Sequence, residues 1–273
     1  GDGDLPGVLV LDAVCPLTLI GSKRAYRGEL LDLFGLKPGA GAAEQVVLVE
    51  PGPFGDFWLA MKDPASRTMV LECLATFHQA YQEDPRALWD SVRADFPGGF
   101  TRRVASWAVL QFWSYFAKPV IPQPAGCTAN ILWKTHGFDK NSAYRSDTPQ
   151  AVRENITKNK RLPQLIEGIQ ALPRMSNVLV YRQRAQDLDP SLFLGETLVY
   201  IDPPFAGTTQ SYGWEFPRED VLLAAQTYDA LGCRVAVSEA EPLPLRGPQW
   251  RSVRLGGPRA RGRTTSKQQS EYV

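Results

Sequence analysis

Leu198-Val199-Tyr200-Ile201-Asp202-Pro203-Pro204-Phe205 is the stretch on which the reading of the whole chain turns. Its first four residues are short, apolar and β-prone, as a strand covered on both faces of a parallel sheet should be. Two consecutive prolines end that strand. Proline has no amide donor and a fixed φ, so the chain leaves the ladder stiff and extended, with carbonyls free to accept hydrogen bonds. Open α/β sheets bind ligands at the carboxyl ends of such strands. An acid, a proline carbonyl and an aromatic ring at that position suit a planar substrate carrying an amine. A strand followed by a Pro-Pro turn with a capping aspartate is the plainer alternative.

Outward from this stretch, further strands stand at Val46-Val47-Leu48-Val49, Val178-Leu179-Val180-Tyr181 and Cys233 to Val237, with Trp250 to Leu255 returning at the end. A helix from Arg218 to Leu231 separates two of them. Strands alternating with helices favour an α/β fold with a mostly parallel sheet. The run Thr68-Met69-Val70-Leu71 reads as one more strand, ending in Glu72. Val46 to Val49 runs into Glu50-Pro51-Gly52-Pro53-Phe54-Gly55-Asp56, read as an acid followed by a glycine-containing turn, where such a sheet receives an adenosyl cofactor. Near the start, Leu19-Ile20-Gly21-Ser22-Lys23-Arg24 precedes a helical pattern with Leu30, Leu31 and Phe34 on one face.

In its order of motifs the chain resembles the Dam-like α class of DNA adenine amino-methyltransferases. Asp202-Pro203-Pro204-Phe205 matches the family's motif IV, Glu50 to Asp56 is similar to its motif I, and Gly21 to Lys23 to its motif X. The resemblance implies a Rossmann-like class I methyltransferase sheet, formed by residues 1–83 and 175–273, with an inserted, mainly helical target-recognition lobe at 84–174. It implies S-adenosylmethionine as cofactor and methylation of the exocyclic amine of adenine in double-stranded DNA. The Asp202 side chain and the Pro203 carbonyl would accept hydrogen bonds from the amine, and Phe205 would stack on the base. The target nucleotide would be flipped out of the duplex, at a cost of roughly a few kcal/mol. For the cofactor, the resemblance assigns Gly21, Lys23, Glu50, Pro51 and Gly55, with Glu72 on the ribose hydroxyls and Asp187 beside the adenine. A solvated cap is the other reading of Glu72, and an exposed loop the other reading of Asp187. Motif I departs from the family pattern at Gly52, Pro53, Phe54 and Asp56, where bulk narrows the approach of the cofactor's methionine part.

The middle region, from about Asp84 to Arg174, lacks the alternation of its flanks. Arg86 to Phe96 and Arg102 to Lys118 read as helices, the second carrying Trp107, Phe112, Trp113, Tyr115 and Phe116. That aromatic stripe reads as core before it reads as a base-stacking platform. Loop residues Lys134, Lys140 and Asn141 are the better DNA candidates, since Lys and Asn can read base edges. Tyr212, in the loop after Phe205, is a candidate contact to the base or a flanking phosphate. Arg251, Arg254, Arg259, Arg261, Arg263 and Lys267 lie in an acid-free segment whose glycines read as a flexible arm, with Arg259, Arg261 and Arg263 placed on phosphates.

Composition bounds these readings. With 273 residues, 44% of them hydrophobic, the chain holds one large α/β domain or a domain and a half. A net charge of +1 lacks the overall basic footprint of most nucleic-acid binders, which keeps open an α/β enzyme acting on a small amine or nucleotide. An altered member of the family that binds DNA or cofactor without methylating is the other alternative. Cys15, Cys73, Cys127 and Cys233 are too scattered for a zinc site, and His78 and His136 have no Cys partners nearby, so no metal is expected. No apolar run approaches the roughly 20 residues of a membrane span, and no secretory pattern opens the chain, so a cytoplasmic protein of a bacterium or of a virus-infected cell is expected.

Overall fold

A computed structural model describes residues 27–34, 46–94, 98–114, 120–123, 126–127, 162–176, 178–193, 197–203, 216–260 and 268–273. It divides into two compact units, Gly1–Ser22 with Pro38–Arg182 and Lys23–Lys37 with Gln183–Val273. The expected lobe boundaries at 84 and 174 both fall inside the first unit.

In the first unit, strand β1 (Val46–Val49) pairs in parallel with the strand Val178–Tyr181, Val46 opposite Val178 and Val49 opposite Tyr181. After β1 the described residues form the helices Pro53–Lys62, Pro64–Glu83, Pro85–Ala94 and Phe100–Trp113, called α2 to α5 because α1 (Arg27–Phe34), of the second unit, precedes them. Among the described residues a two-residue antiparallel pair, β2 (Pro122–Gln123) with β3 (Gly126–Cys127), and the helix α6 (Leu162–Gln170) follow before Val178–Tyr181, hence β4. Prolines at the first turns of α2 and α3 explain where those helices begin, since a missing N–H costs nothing there. Asp63 caps α3, its carboxylate accepting from the Ser66 amide at 3.2 Å and the Ser66 hydroxyl at 2.6 Å.

One apolar core runs through the unit. It joins Phe57 and Met61 of α2, Leu74 and Phe77 of α3, Trp89 of α4, Trp107 and Trp113 of α5, Leu165 of α6 and Val178 of β4. Every residue of α5 from Val104 to Gln111 is buried, so this helix is the centre of the unit and not one of its faces. Trp113 stacks on Trp89 with ring centroids 6.4 Å apart and lies 5.9 Å from Tyr81. Two side chains of α5, Trp107 and Gln111, bond to the backbone. Trp107 donates to the Val120 carbonyl and Gln111 accepts from the Val120 amide, both at 2.9 Å, so a segment leaving the helix is held at both of its polar groups. Trp107 and Trp113 are therefore core, as their pattern suggested, and Phe112 packs half-buried against it; Tyr115 and Phe116 lie outside the described residues.

The strand expected at Thr68 to Leu71 is instead the second turn of α3. Four residues of β-prone character were read without the longer period around them: Val70, Leu74, Phe77 and Tyr81 recur on one helical face and are all buried. The Asp63 cap and Pro64 fix the start, and tertiary packing overrides local propensity.

In the second unit, β5 (Leu198–Ile201) pairs in parallel with β6 (Arg234–Val237), Ile201 opposite Val237. The helix α7 (Arg218–Ala230) joins them in sequence, the strand-helix-strand order the alternation predicted. Val221 and Ala225 of α7 pack with Ile201 and Val237 on one face of this pair. The other face meets Leu30, from α1 (Arg27–Phe34), and Leu255, with Leu198, Tyr200 and Ala236 against them. Burial on both faces is what an apolar parallel strand requires. The chain then forms an antiparallel pair, β7 (Arg254–Ala260) with β8 (Gln268–Tyr272), closed by mutual bonds between Val253 and Val273 at 2.7 and 2.8 Å. Trp250 to Val253 are not strand, and the expected arginine loop is strand as far as Ala260, with a register irregularity between Leu255 and Arg259 where Gly256, Gly257 and Pro258 stand.

Among the described residues the architecture is thus mixed helix and strand, with two-stranded sheets, two parallel and two antiparallel, and no barrel, which is compatible with an α/β class. No described helix is long and apolar enough to cross a membrane.

Candidate active site

Both parallel pairs end, at their carboxyl edge, in an acid followed by proline. In the second unit β5 gives way to Asp202, which is exposed, and Pro203, which is buried. Immediately alongside, β6 gives way to Ser238 and Glu239, of which 0% and 4% remain exposed. The Ser238 amide donates to the Ile201 carbonyl at 2.9 Å, and the Ser238 and Tyr200 hydroxyls lie 2.6 Å apart. Oε1 of Glu239 accepts from the Ala240 amide at 3.0 Å. One exposed carboxylate, one buried carboxylate and two hydroxyls therefore stand at the end of a single strand pair. Of these the exposed Asp202 carboxylate is the one that an amine can reach as a hydrogen-bond acceptor.

In the first unit, the Glu50 amide donates to the Tyr181 carbonyl at 3.0 Å, which carries the ladder one bond past β1. Glu50 and Pro51 are half-buried and Gly55 is buried. The expected glycine turn from Gly52 to Asp56 is nearly absent, because Gly52 is the N-cap of α2 and the helix already runs from Pro53. Pro53 is suited to a first helical position and Asp56 to a first turn, where its charge complements the helix dipole. Phe54, a departure from the family pattern, turns into the core, with its ring 5.6 Å from Trp107, edge to face, and 6.0 Å from both Phe57 and Trp58.

Arg182, directly after β4, lies over this junction. It donates to Asp56 Oδ1 at 2.7 Å and to the Pro51 carbonyl at 2.9 Å, and Arg103 of α5 stands 4.0 Å from the other Asp56 oxygen. A Cβ on Gly55 would come within 2.5 Å of Arg182 Cδ and of the Glu50 carbonyl oxygen. Glycine is needed there because of what crosses it. The backbone approach attributed to a ligand is taken, in this structure, by the chain's own guanidinium.

The other expected cofactor residues separate. Glu72 is exposed in the middle of α3, so its placement at a strand end no longer holds. Asp187 is exposed in a short 3-10 turn, Ala185–Asp187, where Arg184 donates to both its oxygens at 2.9 Å. That side-chain hydrogen bond holds the Asp187 carboxyl below the usual carboxylate range. Gly21, Lys23, Pro204, Phe205, Lys134, Lys140, Asn141, Tyr212, Arg261 and Arg263 lie outside the described residues. Arg259 is in β7, opposite Gln269, with Arg251 and Arg254 exposed nearby in the chain.

Three residues of these two edges went unread in the sequence: Arg182, Ser238 and Glu239. Each follows a strand that its apolar run had disclosed, and the rule that ligands meet the carboxyl ends of strands applies to β4 and β6 as well as to β1 and β5. The long-range bonds of Arg182 are not visible in local sequence.

Among the described residues no group of His, Cys, Asp and Glu could hold a metal ion. The chain matches no protein-family model, and no curated protein resembles it in sequence.

Proposed function

We propose that the protein is an S-adenosylmethionine-dependent amino-methyltransferase acting on the exocyclic amine of adenine in double-stranded DNA, on a Rossmann-like class I sheet. The observation that carries the reading is the edge of β5, where an exposed Asp202 and a buried Pro203 follow a parallel strand covered on both faces. An aromatic amine is a poor nucleophile because its lone pair is delocalised into the ring. Two acceptors, the Asp202 carboxylate and the Pro203 carbonyl, favour the pyramidal nitrogen whose lone pair can attack the cofactor's methyl carbon. Asp202 and Pro203 would hold the amine's lone pair toward the methyl group that the cofactor would supply, and the proton the amine gives up would leave by way of the exposed Asp202 carboxylate to solvent. The order of acid-proline strand ends, Glu50-Pro51 before Asp202-Pro203, supports the same reading, as does the basic stretch around β7.

The residues at the end of β1 fit the cofactor in part. Glu50 and Pro51 stand at a strand's carboxyl end, and the cofactor would supply there an electrophilic methyl group on a sulfonium. The Arg182 bridge across Pro51 and Asp56 supports a second reading, a family member that binds DNA or cofactor without transferring methyl. Incubation with mixed-sequence duplex DNA and methyl-labelled cofactor, beside Asp202→Ala, separates the two. Label on adenine that vanishes in the variant supports the first; DNA retention without label supports the second; no binding to either removes both.

A further inference from the structure

We infer that Ser238 is a positioning residue for Asp202, acting through its hydroxyl contact with Tyr200; this rests on the methyl-transfer reading above. Two separate contacts meet on Ser238, the first residue beyond β6. Its amide holds the Ile201 carbonyl at 2.9 Å, and its Oγ lies 2.6 Å from the Tyr200 hydroxyl. Tyr200 and Ile201 are the last two residues before Asp202. The Ile201 carbonyl and the Asp202 amide share one planar peptide group, so fixing the first fixes the direction in which Asp202 leaves the strand.

Strand alternation places the hydroxyl contact on a defined face. Tyr200 and Ala236 pack toward Leu30 and Leu255, while Ile201 and Val237 pack toward Val221 and Ala225. The parity that carries Tyr200 and Ala236 continues to Ser238, whose Oγ meets the phenol on that same side. The register sets Ile201 opposite Val237, so Ser238 is the position facing Asp202 one step past the ladder. Ser238 has no solvent exposure, and a buried hydroxyl that loses its partner pays its full desolvation cost. The Tyr200 contact is therefore held firmly while Asp202 itself stays exposed to substrate. A polar clamp one residue behind an exposed acceptor is what pre-set geometry requires, because a misplacement of about 1 Å can cost on the order of 100-fold in rate.

The test uses the full chain, duplex DNA and labelled cofactor, with wild type, Asp202→Ala, Ser238→Ala, Ser238→Thr, Tyr200→Phe and the Ser238→Ala/Tyr200→Phe double variant. We expect Ser238→Ala and Tyr200→Phe each to lower kcat by roughly 10-fold or more, with cofactor affinity within about twofold of wild type. The double variant should be no worse than either single one, as expected for two ends of one contact, and Ser238→Thr should restore most of the rate. Tyr200→Phe keeps the ring in its core and so tests the contact even where Ser238→Ala fails to fold. Losses that multiply in the double variant, equal losses in cofactor affinity, or an unchanged kcat would overturn the role. A wild type that transfers no methyl would bring down the methyl-transfer reading and this role with it. A wild type that transfers well beside an equally active Ser238→Ala removes only the role.

Discussion

The two parallel strand pairs begin alike and finish differently. Each has one strand ending in acid-proline, Glu50-Pro51 in the first unit and Asp202-Pro203 in the second, and each is helped by its neighbour. The neighbour of β1 ends in Arg182, a long cation that reaches back over the Pro51 carbonyl and the Asp56 carboxylate. The neighbour of β5 ends in Ser238 and Glu239, both buried; Ser238 bonds to Ile201 and Tyr200, and Asp202 stays exposed. The same local grammar thus gives one edge closed by its own chain and one with its carboxylate exposed. The residues just past the partner strand, and not the acid-proline pair itself, decide between the two.

The sharpest way to break this contrast is to attack the core under the closed edge. Trp113→Ala, which removes a ring stacked on Trp89, should cost about 3–5 kcal/mol. Hydrogen exchange should show the loss of protection concentrated at 46–182; an even loss through 183–273 would show that the two units do not have separate cores. Next in size is the open edge. Asp202→Ala should lower methyl transfer by about 100- to 1000-fold, the range for removing one transition-state hydrogen-bonding group, with melting temperature little changed; a variant retaining full turnover would mean the edge is open for some other purpose.

Gly55→Ala tests closure directly. The added carbon would meet the Glu50 backbone oxygen as well as the Arg182 side chain, and only the latter can swing away. A destabilisation of about 1–3 kcal/mol is expected in urea titrations, with weaker cofactor binding; a neutral result would show that Arg182 and the turn are looser than the geometry implies.

The smallest effect lies at the Asp63 cap. The hydrogen bonds from Ser66 hold its carboxyl below the ordinary aspartate value in the folded chain. A depressed folded value means that the cap's contribution is complete above the unfolded value and disappears as pH falls through the folded one. Asp63→Ala should therefore melt at a lower temperature than wild type at neutral pH, and the gap should narrow in acid. A gap that persists at acid pH would assign the effect to the hydroxyl or backbone contacts and not to the charge.

Strand ends and helix stripes were legible wherever period and punctuation agreed. Leu198 to Ile201 before two prolines, Val178 to Tyr181, and the helix from Arg218 stand where the sequence put them. Thr68 to Leu71 failed because four residues carry too little period to separate strand from helix, and the deciding neighbours, Leu74, Phe77 and Tyr81, lay beyond that window. The turn at Gly52 failed for a different reason. A strand-acid-glycine pattern was given a loop, while Pro53 and Asp56 already had the chemistry of a helix's first turn. Arg182 was illegible in principle, since its partners Pro51 and Asp56 are far away in sequence and only the β1–β4 register brings them near. Ser238 and Glu239 were legible and passed over: they hold on β6 the place that Asp202 holds on β5.

Arg67 gives the first unit a further property. Its guanidinium donates to the Met61 carbonyl at the end of α2 and, at 2.8 Å each, to the carbonyls of Leu172 and Pro173, just before β4. One side chain thus pins together the two ends of the long stretch between residues 67 and 172. The guanidinium therefore works as a strap between the end of α2 and the entry to β4, so that a disturbance at Leu172 or Pro173 is transmitted to Met61 through a single side chain.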